Sequence, residues 1–248
     1  LTGIPKTSTF IGRKADLNLI KEQLIPGKVL DRRKICVIYG LGGMGKTQLA
    51  IEYARLHKGS YTSFFWLDGR TEESLIQGLL VLSSRLPKGQ IADVDAQEIK
   101  GIEESRKRAQ EILGWFALKG NTQWLLVYDN IDKTSYEETS NEDTNISSTY
   151  DITQYFPRGD TGSIIITTRL QRLVSLGGQI HLRKLDVHDG LLILEKHVGR
   201  SLKRVGSHIT PTNNSEIDTW EPGLCFLFSL RMRSIRPCYL CLYKLMSP

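Results

Sequence analysis

Lys46 and Thr47 end the octet GLGGMGKT, Gly40 to Thr47, in which two glycines with four residues between them precede a lysine and a hydroxyl. Each part has a use if the ligand is a chain of phosphates. Glycines let the backbone bend until successive amide groups point inward, where side chains would block the approach. A helix starting near Lys46 adds the positive end of its dipole, and the Lys46 ammonium can reach β- and γ-phosphate oxygens. The Thr47 hydroxyl is a ligand for Mg2+. The octet fits the P-loop pattern, which by itself names neither the base nor the reaction.

Two further stretches supply partners. WLLVYDNID places Asp129 at the carboxyl end of a buried strand, where a carboxylate can hold the water shell of Mg2+. Many ATPases follow this aspartate with a second acid that polarises the attacking water. Here the next residue is Asn130, whose amide cannot take a proton, so slow hydrolysis is expected. Asp132 lies two residues further on, where it is not expected to face the same site. GSIIITTR ends in Arg169, and a guanidinium on that strand edge can tell a triphosphate from a diphosphate. Lys46, Asp129 and Arg169 are therefore the candidate catalytic residues, with Thr47 and Asp129 the candidate Mg2+ ligands.

The elements that must position these groups are legible as alternating periods. Five short runs read as strands: KICVIY ending at Tyr39, TSFFWL at Leu67, WLLVY at Tyr128, SIIIT at Thr167 and IHLRKL at Leu185. The first four are almost continuously apolar, as parallel strands covered on both faces must be. Helical spacing fills Gln48 to Leu56, Glu72 to Leu86, Glu103 to Leu118 and Gly190 to Val198. Strand and helix in alternation predict an α/β three-layer domain with a parallel sheet. Lys133 to Asp151, rich in Ser, Thr, Asn and Glu, reads as a mobile surface insertion.

The whole chain sets limits on function. Its 248 residues can bury one large core, and 40% hydrophobic with 24% charged residues is ordinary for a globular protein. The formal charge of +6 is scattered, with no aromatic-interleaved basic stripe, so neither nucleic-acid nor membrane binding is signalled. No signal segment opens the chain and no apolar run reaches the ~18 residues of a membrane span, which predicts a cytoplasmic protein. Leu1 in place of Met predicts a piece of something longer. Cys36 sits in a strand, and the CxxC of Cys238 and Cys241 lacks the second pair or histidines that a metal site needs. Trp66, Trp115 and Trp124 fall at core positions.

FIGRKADL, GLGGMGKTQLA, LLVYDNID and GSIIITTR, in this order and at these separations, resemble the NB-ARC domain of the STAND class of P-loop NTPases, which includes NOD-like receptors and plant resistance proteins. The pairing of DNID with ITTR looks most like fungal members. The likeness covers about Phe10 to Arg200. It implies a five-stranded parallel sheet of order 5-1-4-3-2, an adenine nucleotide, ADP or ATP, and Mg2+. By the same resemblance, Phe10, Ile11 and Arg13 lie over the adenine. Gly42, Gly43, Met44, Gly45, Lys46 and Thr47 hold phosphates, with Gln48 close behind. It also implies an upstream effector domain, a downstream repeat domain, homo-oligomerisation on activation, and a part in cell-death or innate-immunity signalling.

The expected organisation is a linker and adenine-covering segment over 1–33, the nucleotide-binding domain over 34–200 and an atypical tail over 201–248. That tail departs from the family, whose helical subdomain with a Gly-x-Pro motif and winged helix do not follow here. After about Val205 the composition changes abruptly, as it would after an altered reading frame, a retained intron or early termination. Three functions fit the residues: a nucleotide-dependent switch, an ordinary ATP-hydrolysing enzyme, and an interaction or DNA-binding module with a degenerate P-loop.

Overall fold

The computed structural model describes residues 10–25, 32–87, 89–91, 101–135, 149–198, 201–205 and 208–211. The chain divides into two compact units, 1–182 and 183–248.

The first unit is built around five parallel strands: β1 (Lys34–Tyr39), β2 (Ser63–Asp68), β3 (Trp124–Asp129), β4 (Ser163–Thr168) and β5 (Gly178–His181). Their order, β2-β3-β4-β1-β5, is the expected 5-1-4-3-2 read from the other edge. β3 and β4 are buried along their whole length, which explains their unbroken apolar runs. Alternation then sorts the side chains by face. Val37, Leu126, Tyr128, Ile164 and Ile166 join Phe65 and Leu67 in one core with α3 (Glu72–Ser83) and α4 (Ile102–Trp115). The residues between them, Cys36, Ile38, Leu125, Val127 and Ile165, are equally buried. α1 (Lys14–Leu24) packs on β1 and on α2 (Lys46–Leu56), and α2 packs on β3 and β4.

Several boundaries differ from the periodic reading, each for a local reason. α3 ends at Ser83 rather than Leu86 and tightens into the turns Arg85 N to Leu82 O and Leu86 N to Ser83 O, just before Pro87. α4 likewise gives way after Trp115 to turns through Leu118. The last strand is not 180–185 but Gly178–His181: its partner β1 ends at Tyr39, opposite His181, and leaves nothing further to pair with. α1 was hidden in the presumed linker, because its buried residues Leu17, Ile20 and Leu24 are few among polar neighbours. Trp66 is only half-buried, whereas Trp115 and Trp124 are in the core.

The insertion is tied down at both ends. Thr134 bridges to Tyr150 and donates its hydroxyl to the Tyr150 carbonyl at 2.7 Å, while the Tyr150 hydroxyl donates to Gly69 O at 2.6 Å. Residues 136–148 between them lie outside the described residues.

Trp124 anchors the first turn of β3. It is 1% exposed, its indole N–H donates to Phe116 O and Asn121 O at 3.2 Å each, and its ring lies edge-on to Phe116. Gly162 passes directly beneath it with φ +79°, and a Cβ there would stand 2.2 Å from the ring. Trp124→Ala is expected to lower unfolding free energy by about 3–5 kcal/mol, read from the urea midpoint. Cys36 is a buried free thiol whose pKa burial pushes up to about 12, so it is inert.

In the second unit, α5 (Val187–Val198) begins three residues before the predicted Gly190. Asp186 caps it, accepting the Asp189 N–H on its carboxylate at 2.7 Å. β6 (Leu202–Val205) and β7 (His208–Pro211) form an antiparallel pair in the stretch where no period is legible. Residues 212–248, with Cys225, Cys238 and Cys241, lie outside the described residues. Among the described residues no helix is long and apolar enough to cross a membrane.

Candidate functional site

The sheet order places β1, β4 and β3 side by side, so the segments leaving their carboxyl ends converge. In open parallel sheets this edge, near a reversal of strand order, is where ligands bind. Gly40 follows β1 directly and Arg169 follows β4, and the last strand residues Tyr39 and Thr168 are register partners. Asp129 closes β3 and faces Asp68 at the end of β2.

After β1 the chain turns through the glycine-rich bend into α2. Gly45 precedes the helix with φ +89°, a left-handed conformation that L side chains rarely adopt. Lys46 and Thr47 thus occupy the first turn of α2, at the positive end of its dipole. Lys46 is buried and its ammonium donates to Gly40 O at 2.8 Å and Leu41 O at 2.9 Å. Burial pushes its pKa below the ordinary lysine value and the nearby Arg169 reinforces this, while Asp132 and Asp129 oppose it. Gln48 is exposed one residue on, and Met44 is buried.

Asp129 is 6% exposed and accepts two hydroxyl bonds on one oxygen, from Thr47 at 2.8 Å and Thr167 at 2.5 Å. Burial raises its pKa; the two threonine bonds and Lys46 lower it, and the Asp68 charge raises it further. Asp68 itself is held below the usual carboxylate range by hydrogen bonds from Arg70. A hydroxyl and a carboxylate beside the glycine-rich bend form a hard oxygen donor set that fits Mg2+, which completes its shell with water and phosphate oxygens rather than a protein cage. No cluster of three or more His, Cys, Asp or Glu that could hold a metal occurs among the described residues.

Asn130 adopts φ +63°, which turns the chain back over β4. Its main-chain N–H donates to Thr167 Oγ1 at 3.0 Å and its amide donates to the second oxygen of Asp129 at 3.3 Å. The amide therefore supports the carboxylate. Ile131 N donates to Thr167 O at 2.9 Å, and Thr168 Oγ1 donates to Ile131 O at 2.5 Å. Both threonines of ITTR thus fasten the DNID loop to the strand edge.

This turn brings Asp132 back to the site, contrary to its sequence placement. It accepts the Arg169 main-chain N–H at 2.7 Å and pairs with Arg169 Nε at 3.0 Å. The Arg169 guanidinium lies against the bend: a Cβ on Gly42 would stand 3.2 Å from its Cζ. Asp132 carried no motif signal of its own; only the αL turn at Asn130 reveals its direction.

The segment before α1 also reaches the bend. Gly12 and Arg13 have φ +76° and +54°, and the Arg13 guanidinium donates to Met44 O at 2.9 Å and to Asp16 at 3.2 Å. Phe10 and Ile11 are half-buried just upstream. Every site residue read from the sequence has a described position, and those from Arg13, the bend, Asp129 and Arg169 are joined by contacts or lie in one continuous turn. His57 bonds Tyr53 O and His181 stacks on Tyr39.

No protein-family profile matches the chain. A nucleotide-binding leucine-rich repeat (NLR)-like protein of Hyaloscypha variabilis is 29% identical over 168 residues, 66% of this chain. The chain spans only 16% of that relative's length. Among solved structures, Cdc6p of Pyrobaculum aerophilum is similar with a TM-score of 0.49 at 13% identity, covering 80% of this chain and 52% of that one. The parallel sheet, the glycine-rich bend with its lysine and threonine, and the adjoining strand-end aspartate define a nucleotide-binding domain of the P-loop NTPase class.

Proposed function

We propose that this chain is an NB-ARC-type switch domain, which holds ADP in one state and ATP in another and hydrolyses ATP slowly. The observation that carries the reading is the convergence of Lys46, Thr47, Asp129 and Arg169 on one sheet edge, with Arg13 tying the preceding segment to Met44 O. Lys46 and the bend hold phosphates, Thr47 and Asp129 hold Mg2+, and Arg169 reads the terminal phosphate. Phe10, Ile11 and Arg13 cover the adenine. Bound Mg2+ supplies charge neutralisation of the phosphates.

The likeness to an NLR-like protein supports placing the domain in cell-death or innate-immunity-like signalling, with an effector domain upstream, a repeat domain downstream and oligomerisation on activation. A switch works by differential contacts in its two states, so it gains from holding a nucleotide longer than from consuming it. Asn130 fits that demand: its amide is committed to Asp129 and cannot accept a proton from water.

Titration calorimetry with Mg-ADP on protein freed of copurified nucleotide tests the reading: saturable one-to-one binding is expected, and no binding at millimolar nucleotide would refute it. Single-turnover hydrolysis of ATP is expected below about 1 per second, under the usual enzymatic range. Quenched-flow measurement of a faster step would favour an ordinary hydrolase.

A further inference from the structure

We propose that Asp132 is the positioning residue for Arg169, aiming its guanidinium at the terminal phosphate and so setting the preference for triphosphate over diphosphate. The proposal rests on the nucleotide-binding reading above. Arg169 is a long side chain, 65% exposed, on the rim of the site. Such a side chain samples many rotamers, and fixing it upon binding opposes affinity. Asp132 removes that freedom beforehand. It takes the Arg169 main-chain N–H at 2.7 Å and Nε at 3.0 Å, which leaves Nη2 facing the bend, 3.4 Å from where a Cβ on Gly42 would stand.

The anchor is itself fixed. Asn130 turns back in αL, Asp132 N donates to Asn130 O at 2.9 Å, and Thr167 and Thr168 fasten residues 130 and 131 to β4. The end of strand β4 thus leads directly into Arg169 and carries the fastenings of the carboxylate that aims it. With Arg169 65% exposed and Asp132 26% exposed, the ion pair contributes little to folding. Its geometry matters only to a ligand that meets the guanidinium, which a terminal phosphate on the Gly42 side of the bend would do and a diphosphate would not.

Titration calorimetry with Mg-ADP and with a Mg-bound non-hydrolysable ATP analogue, on the full chain freed of copurified nucleotide, tests this. Asp132→Ala is expected to weaken the analogue about tenfold while ADP stays within about twofold, the tenfold step corresponding to about 1.4 kcal/mol of preorganisation. Asp132→Asn keeps one acceptor oxygen and is expected to lose only about threefold. Arg169→Ala should remove the preference outright, and adding Asp132→Ala to it should change nothing more. Equal weakening of both nucleotides overturns the proposal, as does a further loss in the Arg169→Ala background. An unchanged preference with abolished hydrolysis also overturns it and makes Asp132 a residue acting on water. If the unaltered chain binds neither nucleotide, this proposal and the nucleotide reading fall together; if it binds both and the preference ignores Asp132, this proposal alone falls.

Discussion

Lys46→Ala raises the Kd for Mg-ADP about 100-fold or more, while the nucleotide-free protein melts at the same temperature or higher. A buried ammonium meeting phosphate oxygens makes charged hydrogen bonds, each contributing about 1.5–3 kcal/mol, and 100-fold corresponds to about 2.7 kcal/mol. The stability half of the result follows from the direction of the Lys46 pKa. Burial lowers it, which means that the fold carries this charge at a cost relieved only in part by two carbonyls and by Asp132 and Asp129. Removing the ammonium relieves that cost and leaves a first helical turn that alanine suits well. Lys46→Arg separates charge from shape, because the planar fork cannot occupy a space 8% exposed and should also lose the ligand. Isothermal titration and a thermal melt on the same samples check both halves. A loss of binding with an equal loss of folding would make Lys46 structural.

Asp129→Asn removes the gain in affinity that Mg2+ confers on nucleotide binding, about 30-fold or more, without weakening binding in the presence of a chelator. Asparagine keeps an acceptor for the Thr47 and Thr167 hydroxyls, so the fold loses only the long 3.3 Å bond from the Asn130 amide. It also ends the repulsion from Asp68 and the burial of a charge. Asp129→Ala is the harsher change, leaving the fully buried Thr167 hydroxyl with no acceptor for its proton, at a cost of about 1–3 kcal/mol. The raised Asp129 pKa adds a pH dependence. Between the ordinary carboxylate value of 3.8 and its raised folded value, the native state holds a proton that the unfolded state lacks. The stability from this group is therefore present at low pH and lost as pH rises through the folded value. Mg2+ binding has the opposite sign, since it needs the ionised carboxylate, and so strengthens as pH rises through the same value. Titrations with and without Mg2+ at several pH values read the ligand part, and urea midpoints read the stability part.

The sheet was legible because both faces of β3 and β4 are covered, so the middles of these strands, Leu125, Leu126, Val127 and Ile164, Ile165, Ile166, carry no polar residue to blur the signal. β5 was misplaced because an edge strand of four residues has only one neighbour, and its extent is set by where β1 stops. α1 was overlooked because few apolar residues among polar ones do not announce a face, and it is the packing on β1 and α2 that defines one. In the site, Lys46, Thr47, Asp129 and Arg169 could be found because each has a fixed offset from a strand end. Asp132 could not. Its position depends on the αL turn at Asn130 and on hydroxyls of Thr167 and Thr168 reaching across from another strand. Those long-range bonds also give a physical reason why DNID and ITTR occur together in this chain.

The central claim is that this cradle holds an adenine nucleotide and keeps it. Denaturing the freshly purified protein and separating the released small molecules by chromatography tests it most directly. The account predicts close to one adenine nucleotide per chain, chiefly ADP, and none from Lys46→Ala. An empty wild-type protein that also fails to take up Mg-ADP on titration would contradict it.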